Sequence, residues 1–186
     1  MLLSATPRAW VTQAIERFDE VLIDHAHCEK KAAAQALSLL SAFPQEPGLA
    51  RAMARLAHEE AGHLAQVLAL MEGRGLELGR DTGDPYARAL QAQVRQPARD
   101  RLLDRLLVSA LIEARSEERL RLLSENLPER ELRDFYARLA KAESGHGALF
   151  LRLARRSSPE CEERLRELSR EEARLVAALP QRAAIH

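Results

Sequence analysis

Residues 55–63 read RLAHEEAGH, and residues 138–146 read RLAKAESGH. Arg, Leu, Ala, Glu, Gly and His recur in register, at an offset of 138 − 55 = 83 residues. Each copy holds Glu-x-Gly-His: Glu60 with His63, and Glu143 with His146. Glu and His at i and i+3 share one face of a helix, so both can reach a common point. The glycine between them works against local propensity, because glycine in an exposed helix costs about 1 kcal/mol relative to alanine. Gly62 and Gly145 are therefore expected to let something bulky approach the backbone, or to leave room beside the histidine.

Partners for these pairs lie at a regular distance. Glu29 precedes Glu60 by 31 residues, and Glu113 precedes Glu143 by 30. Two helices joined by a short turn bring residues about 30 apart to one height. Each half then reads as a helical hairpin with one glutamate facing a Glu-x-x-His pair. Together they supply Glu29, Glu60, His63, Glu113, Glu143 and His146. That is the ligand set of ferritin-like di-iron or di-manganese carboxylate proteins. Six histidines and 21 glutamates would yield about 0.7 Glu-x-x-His pairs by chance, so one pair alone is weak. Two pairs inside a nine-residue repeat, each with its upstream glutamate, are far more specific. Four carboxylates on a leucine-rich stripe, beside Leu56, Leu64, Leu139 and Leu149, would be costly to bury uncompensated, and two divalent cations would neutralise them. A duplicated hairpin with merely solvated charges is the competing reading.

Working outward, turn signals divide the chain. Thr6-Pro7 resembles an N-cap followed by proline at the first helical position. A helix is expected from there to about Phe43, and a second from Gly48 to Glu72. Residues 75–84, with three glycines and two aspartates, read as loop. Asp84-Pro85 starts a short helix ending near Pro97, followed by long helices from about Ala98 to Glu125 and from Glu129 to Arg156. Ser158-Pro159 caps a last helix that fades by Pro180. Phe135, Leu139, Ala142, Leu149 and Leu153 keep helical spacing, as a buried stripe requires. The expected fold is all-α: a ferritin-like four-helix bundle with one long crossover and additional short helices. One domain is expected over 1–186, with a hairpin at 7–72, a crossover at 73–97, a hairpin at 98–156 and a C-terminal helix at 159–179.

Composition agrees. Apolar residues make up 46% and aromatics 4%, and β-branched residues are scarce, which favours helix over sheet. The 28 basic and 28 acidic residues cancel, which argues against a protein that coats nucleic acid through bulk charge but allows a local basic patch. Cys28 and Cys161 have neither zinc nor redox spacing. MLLSATPRAW at the start lacks the pattern of a signal peptide, and no apolar run is long enough to span a membrane. A cytoplasmic protein without a membrane partner is expected.

Further candidates carry two readings each. His25, one turn before Glu29, either holds that ligand in place or is a satisfied polar residue. Glu117, one turn after Glu113, either hydrogen-bonds a metal-bound histidine or pairs with nearby arginines. Tyr136 either projects toward the site or packs, and Cys28 is expected to be a buried thiol. Arg95, Arg99, Arg101 and Arg105, with Arg152, Arg155 and Arg156, form basic clusters that either bind phosphate or cover plain surface. Of these, Arg152, Arg155 and Arg156 are the candidates for substrate contact.

The stretches DHAHCEKKAAAQALSLL around Glu29, HEEAGH around Glu60, IEARSEERL around Glu113 and AESGH around Glu143 resemble the MiaE family. These are the bacterial tRNA 2-methylthio-isopentenyl-adenosine hydroxylases. The likeness covers roughly residues 8–156 and all six ligand positions, and the helix after Ser158 carries little of it. The resemblance implies a di-iron monooxygenase that hydroxylates the isopentenyl side chain of a modified adenosine next to the tRNA anticodon. It implies O2 as co-substrate, two iron ions as the catalytic centre itself, and two electrons. Imidazole and carboxylate suit such iron. With only two cysteines no rubredoxin-like module is present, so a separate reductase is expected to supply the electrons. A monomer is the expected state. A ferroxidase or iron-handling protein, or another di-metal redox enzyme, would use the same ligands.

Overall fold

The computed structural model describes the backbone of residues 1–186 and every side chain except those of residues 98 and 99, so Arg99 of the basic cluster lies outside the described side chains. Among the described residues there are seven helices and no strand. They are α1 (Arg8–Glu16), α2 (Phe18–Ala42), α3 (Leu49–Gly73), α4 (Pro85–Gln91), α5 (Ala98–Asn126), α6 (Arg130–Ser157) and α7 (Cys161–Ala178). None is long and apolar enough to cross a membrane.

The chain forms two compact units. One comprises residues 16–82 with 183–185, and the other residues 1–15, 83–182 and 186. The smaller unit is the hairpin of α2 and α3, which pack on each other. Pro44 and Pro47 interrupt the helical pattern, and Gly48 takes a positive φ of 77° immediately before α3, a conformation that favours glycine. The hairpin buries Val21, Leu22, Ala36 and Leu39 of α2 and Met53, Leu56, Val67 and Met71 of α3.

The larger unit is built on the hairpin of α5 and α6, with α4 and α7 against it. α5 is buried nearly all round. Leu103, Leu106, Leu107, Val108, Ala110, Leu111, Leu120 and Leu123 all lie inside, as expected of a central helix. α6 buries Leu132, Phe135, Tyr136, Leu139, Ala140 and Phe150. Leu149 and Leu153, expected on its buried stripe, are half-buried, as is Leu64 on α3, because the true stripe runs through Glu143, His146 and Phe150 instead.

Three local expectations change. The single helix from residue 7 to 43 is broken at Arg17, which leaves helical geometry with φ −118° and ψ 41°. No glycine or proline marks that position. The break falls where Trp10 and Ala14 serve one unit's core and Phe18, Val21 and Leu22 serve the other's.

Thr6 does not cap α1. Its hydroxyl donates to Glu118 Oε2 at 2.6 Å and its backbone N–H to Glu118 Oε1 at 3.1 Å. Behind that contact lies Arg115, fully buried. It donates to Glu172 Oε1 from Nε and Nη2 at 3.0 and 2.7 Å, to Thr6 Oγ1 at 3.1 Å and to the Ser4 carbonyl at 3.0 Å, and it also reaches Glu118. Tyr86 of α4 donates to the same Glu172 oxygen at 3.0 Å, so one buried polar network ties the N-terminal segment to α4, α5 and α7.

α4 stops at Gln91 rather than near Pro97. Asp84 caps its start by accepting from the Ala87 N–H at 3.0 Å. After it, the Arg95 backbone N–H turns to Asp104 Oδ2 at 2.9 Å, and the Arg95 guanidinium donates to both Asp104 oxygens. Arg164 of α7 donates to the same carboxylate at 3.0 Å from two nitrogens. Burial pushes the Asp104 carboxyl up, but the hydrogen bonds from Arg95 and Arg164 outweigh it and hold it below its ordinary value. Arg95 therefore anchors the crossover and is not a free phosphate ligand.

Candidate metal centre

In the smaller unit, α2 supplies Glu29 and α3 supplies Glu60 and His63. Both carboxylates are buried, Glu60 completely. One ligand atom from each residue lies within 4.8 Å of the others. His63 Nδ1 is 3.1 Å from Glu60 Oε2 and 3.6 Å from Glu29 Oε2. The other Glu29 oxygen, Oε1, accepts from His25 Nε2 at 2.7 Å. His25 is itself buried, one turn before Glu29, so its ring fixes which way the carboxylate turns.

The electrostatics of this triad call for a cation. Burial by itself lowers the His63 pKa, but hydrogen bonds and charge from Glu29 and Glu60 outweigh it and raise it to about 10. Without a metal, a proton on His63 is what balances the two carboxylates at neutral pH. A divalent ion does the same with more charge and with both oxygen and nitrogen donors. The donor set of two carboxylates and one imidazole fits a first-row metal such as iron or manganese and offers no soft sulfur ligand.

The larger unit repeats the pattern. α5 supplies Glu113, and α6 supplies Glu143 and His146, all three buried. Their ligand atoms also lie within 4.8 Å of one another, and His146 Nδ1 is 3.5 Å from Glu143 Oε2. A residue that the sequence pattern did not single out lies at the contact of α5 and α6 beside these ligands. A Cβ built on buried Gly147 would lie 3.6 Å from Glu113 Cβ and 3.8 Å from the Ala110 carbonyl, so α5 and α6 approach closely beside the ligands. The only available signal was a second glycine after His146.

Of the two parts expected of Gly62 and Gly145, the structure leaves approach to an open backbone and removes room beside the histidine. Both are exposed, and a Cβ at either would meet nothing within 4 Å. Neither makes room beside its histidine within the protein.

The other candidates are distributed as follows. Glu117 is half-buried with Oε1 3.8 Å from Arg121 Nε. Burial and the charge of Glu118 raise its pKa, while Arg121 pulls it down. Tyr136 is fully buried and meets Phe135 edge-on at 5.2 Å. Cys28 is half-buried, with Sγ 3.6 Å from Asp24 Oδ2, and Cys161 is buried. Arg101 is exposed and Arg105 half-buried. Arg152, Arg155 and Arg156 are exposed on α6, and Arg155 donates to Glu162 Oε1 at 2.6 Å.

Comparison with known proteins adds three findings. A family described as tRNA-(MS[2]IO[6]A)-hydroxylase (MiaE) matches residues 1–186, and thus includes the C-terminal helix that carried little of the resemblance. A Pseudomonas putida protein named tRNA 2-(methylsulfanyl)-N(6)-isopentenyladenosine(37) hydroxylase is 44% identical over 149 residues, covering 80% of this chain and 72% of its own length. A Salmonella typhimurium protein of the same name is 30% identical, covering 83% and 75% respectively. Among solved structures, a Synechococcus protein described as having aldehyde deformylating oxygenase activity superposes with a TM-score of 0.95 at 39% identity. That match covers 100% of this chain and 94% of the other. The all-α, ferritin-like fold expected from the repeat is the fold of this chain.

Proposed function

The chain belongs to the MiaE family of tRNA hydroxylases, and from that premise we propose that it hydroxylates the isopentenyl side chain of 2-methylthio-isopentenyl-adenosine in tRNA at a di-iron centre. The observation that carries the metal reading is the buried Glu plus Glu-x-x-His triad present in each unit. In this reading Glu29, Glu60 and His63 would hold one iron and Glu113, Glu143 and His146 the other.

The bound irons would activate O2, with two electrons arriving from a separate reductase. The protein's own residues do the rest. His63 gives up its proton when it becomes a ligand, which couples metal uptake to pH. His25 holds Glu29 through its 2.7 Å hydrogen bond. The burial of all four carboxylates keeps bulk water from the ligands and strengthens their charges. Arg152, Arg155 and Arg156 are proposed to contact the tRNA. The working form is a cytoplasmic monomer.

A second reading follows from the Synechococcus relative, whose described activity is on an aldehyde. The same ligands would then serve a different di-metal redox enzyme; iron handling as a ferroxidase would also use them. One experiment separates the three. Iron-loaded protein, a reductant and O2 are incubated with isopentenylated tRNA or with a long-chain aldehyde, and products are analysed by mass spectrometry. A gain of one oxygen on the tRNA side chain supports hydroxylation. Unchanged tRNA with consumption of the aldehyde, or with iron oxidation alone, moves the function to one of the other two. Metal analysis that finds manganese in place of iron would overturn the cofactor.

A further inference from the structure

The two copies of the repeat differ on their outward faces. Around α6, Arg138, Lys141, Gly145, Arg152 and Arg156 follow steps of three, four, seven and four residues. At 100° per residue they fall within about 40° of one line along the helix. All five are exposed, and so is Ala148 beside them. From Arg138 to Arg156 the line is about 27 Å long at 1.5 Å per residue. Between Phe135 and Pro159 the one acidic residue is Glu143, and it is buried on the opposite side with the ligands; exposed Asp134, one turn before Arg138, bounds the strip at its N-terminal end. A chain with zero net charge thus concentrates four cations on one strip of helix.

At the corresponding positions of α3 the small residues are kept and the cations are mostly lost. Gly145 and Ala148 match Gly62 and Ala65, while Lys141, Arg152 and Arg156 match His58, Ala69 and Gly73. The shared small centre is a property of the duplicated hairpin, and α3 keeps Arg55 at the position of Arg138, whereas the cations on the C-terminal side of the small residues belong to α6 alone. Gly145 lies in the middle of that charge with its backbone uncovered, and a Cβ there would meet nothing within 4 Å. Arg155, one residue off the line, is engaged by Glu162 at 2.6 Å and has less to offer a partner.

We propose that the outer face of α6 is the surface on which the RNA backbone lies, with Arg138, Lys141, Arg152 and Arg156 neutralising successive phosphates and Gly145 allowing the closest approach. This inference rests on the tRNA reading above and adds the face that binds. Charge complementarity with a polyanion selects the occupant, since a strip of cations with no exposed acid from Arg138 to Arg156 and no apolar patch suits phosphates better than a folded protein's mixed surface.

The test uses the full-length, iron-loaded protein and fluorescein-labelled isopentenylated tRNA. Affinity is measured by anisotropy at several salt concentrations, and iron content and helicity are measured alongside. Three variants are compared with wild type: the triple reversal R138E/K141E/R152E, G145L, and the matched G62L on α3. The expected result is that the triple variant and G145L bind at least about tenfold more weakly. In the triple variant the slope of log affinity against log salt also falls by about two to three. G62L binds as wild type does, and all three keep their iron. If wild type binds and hydroxylates tRNA while the triple variant and G145L bind it equally well, the docking face is wrong and the tRNA reading survives. Unchanged tRNA affinity with slower reduction by an acidic electron donor also overturns the inference, assigning the strip to the reductase. If wild type neither binds nor hydroxylates tRNA, both readings fall together.

Discussion

His63 makes the metal-free protein's stability depend on pH in a way that can be worked out in advance. Its pKa is raised from 6.5 to about 10 in the folded chain by Glu29 and Glu60. A group whose folded pKa lies above its unfolded value stabilises the fold fully below the unfolded pKa, and that stabilisation is lost as pH rises through the folded one. The window therefore runs from about pH 6.5 to pH 10. A tenfold change in proton affinity is worth about 1.4 kcal/mol, so the full contribution is up to about 5 kcal/mol, of which roughly 2 to 3 kcal/mol is lost between pH 7 and pH 9. The assay is urea unfolding of chelator-treated protein at pH 7, 8 and 9, compared with H63Q. Wild type is expected to lose about 1.4 kcal/mol per pH unit in that range, and the variant much less. Binding of Fe(II) or Co(II) has the opposite slope, because the imidazole must shed its proton to ligate, so affinity rises by up to about tenfold per pH unit for that one proton. Parallel pH profiles for wild type and H63Q would refute the argument that a protonated His63 balances the buried carboxylates.

Other residues give sharper yes-or-no outcomes. G145A and G62A are each expected to stabilise the fold by up to about 1 kcal/mol, since the new methyl meets no neighbour and the helix gains propensity, read as a rise in melting temperature. G147L, whose side chain would press on Glu113 and Ala110, is expected to lower both the melting temperature and the bound iron. Retention of full iron content would show that this close approach is dispensable. R115L leaves Glu172 buried without its guanidinium and is expected to cost about 3–5 kcal/mol in urea unfolding. A loss below about 1 kcal/mol would mean the network contributes little.

The sequence by itself determined the helices, the duplication and the six candidate ligands, because all of these are periodic. Helical faces repeat every three to four residues, and a short turn puts residues about 30 apart at one height, so spacing alone brought Glu29 to Glu60 and Glu113 to Glu143. The family resemblance lay in the same stretches. Other features were decided only by tertiary structure, because they depend on partners far away in the chain. Nothing near Arg17 signals a break between α1 and α2, which follows from two cores claiming the helices on either side. Thr6 had the local form of a cap, yet Glu118, 112 residues away, takes its hydroxyl. Arg95 looked like a surface cation until buried Asp104 bound it. The repeated glycine was legible as a cost but not as a location. Only the folded chain shows that Gly62 and Gly145 face outward and that Gly147 is the glycine on which the hairpin packs beside its ligands.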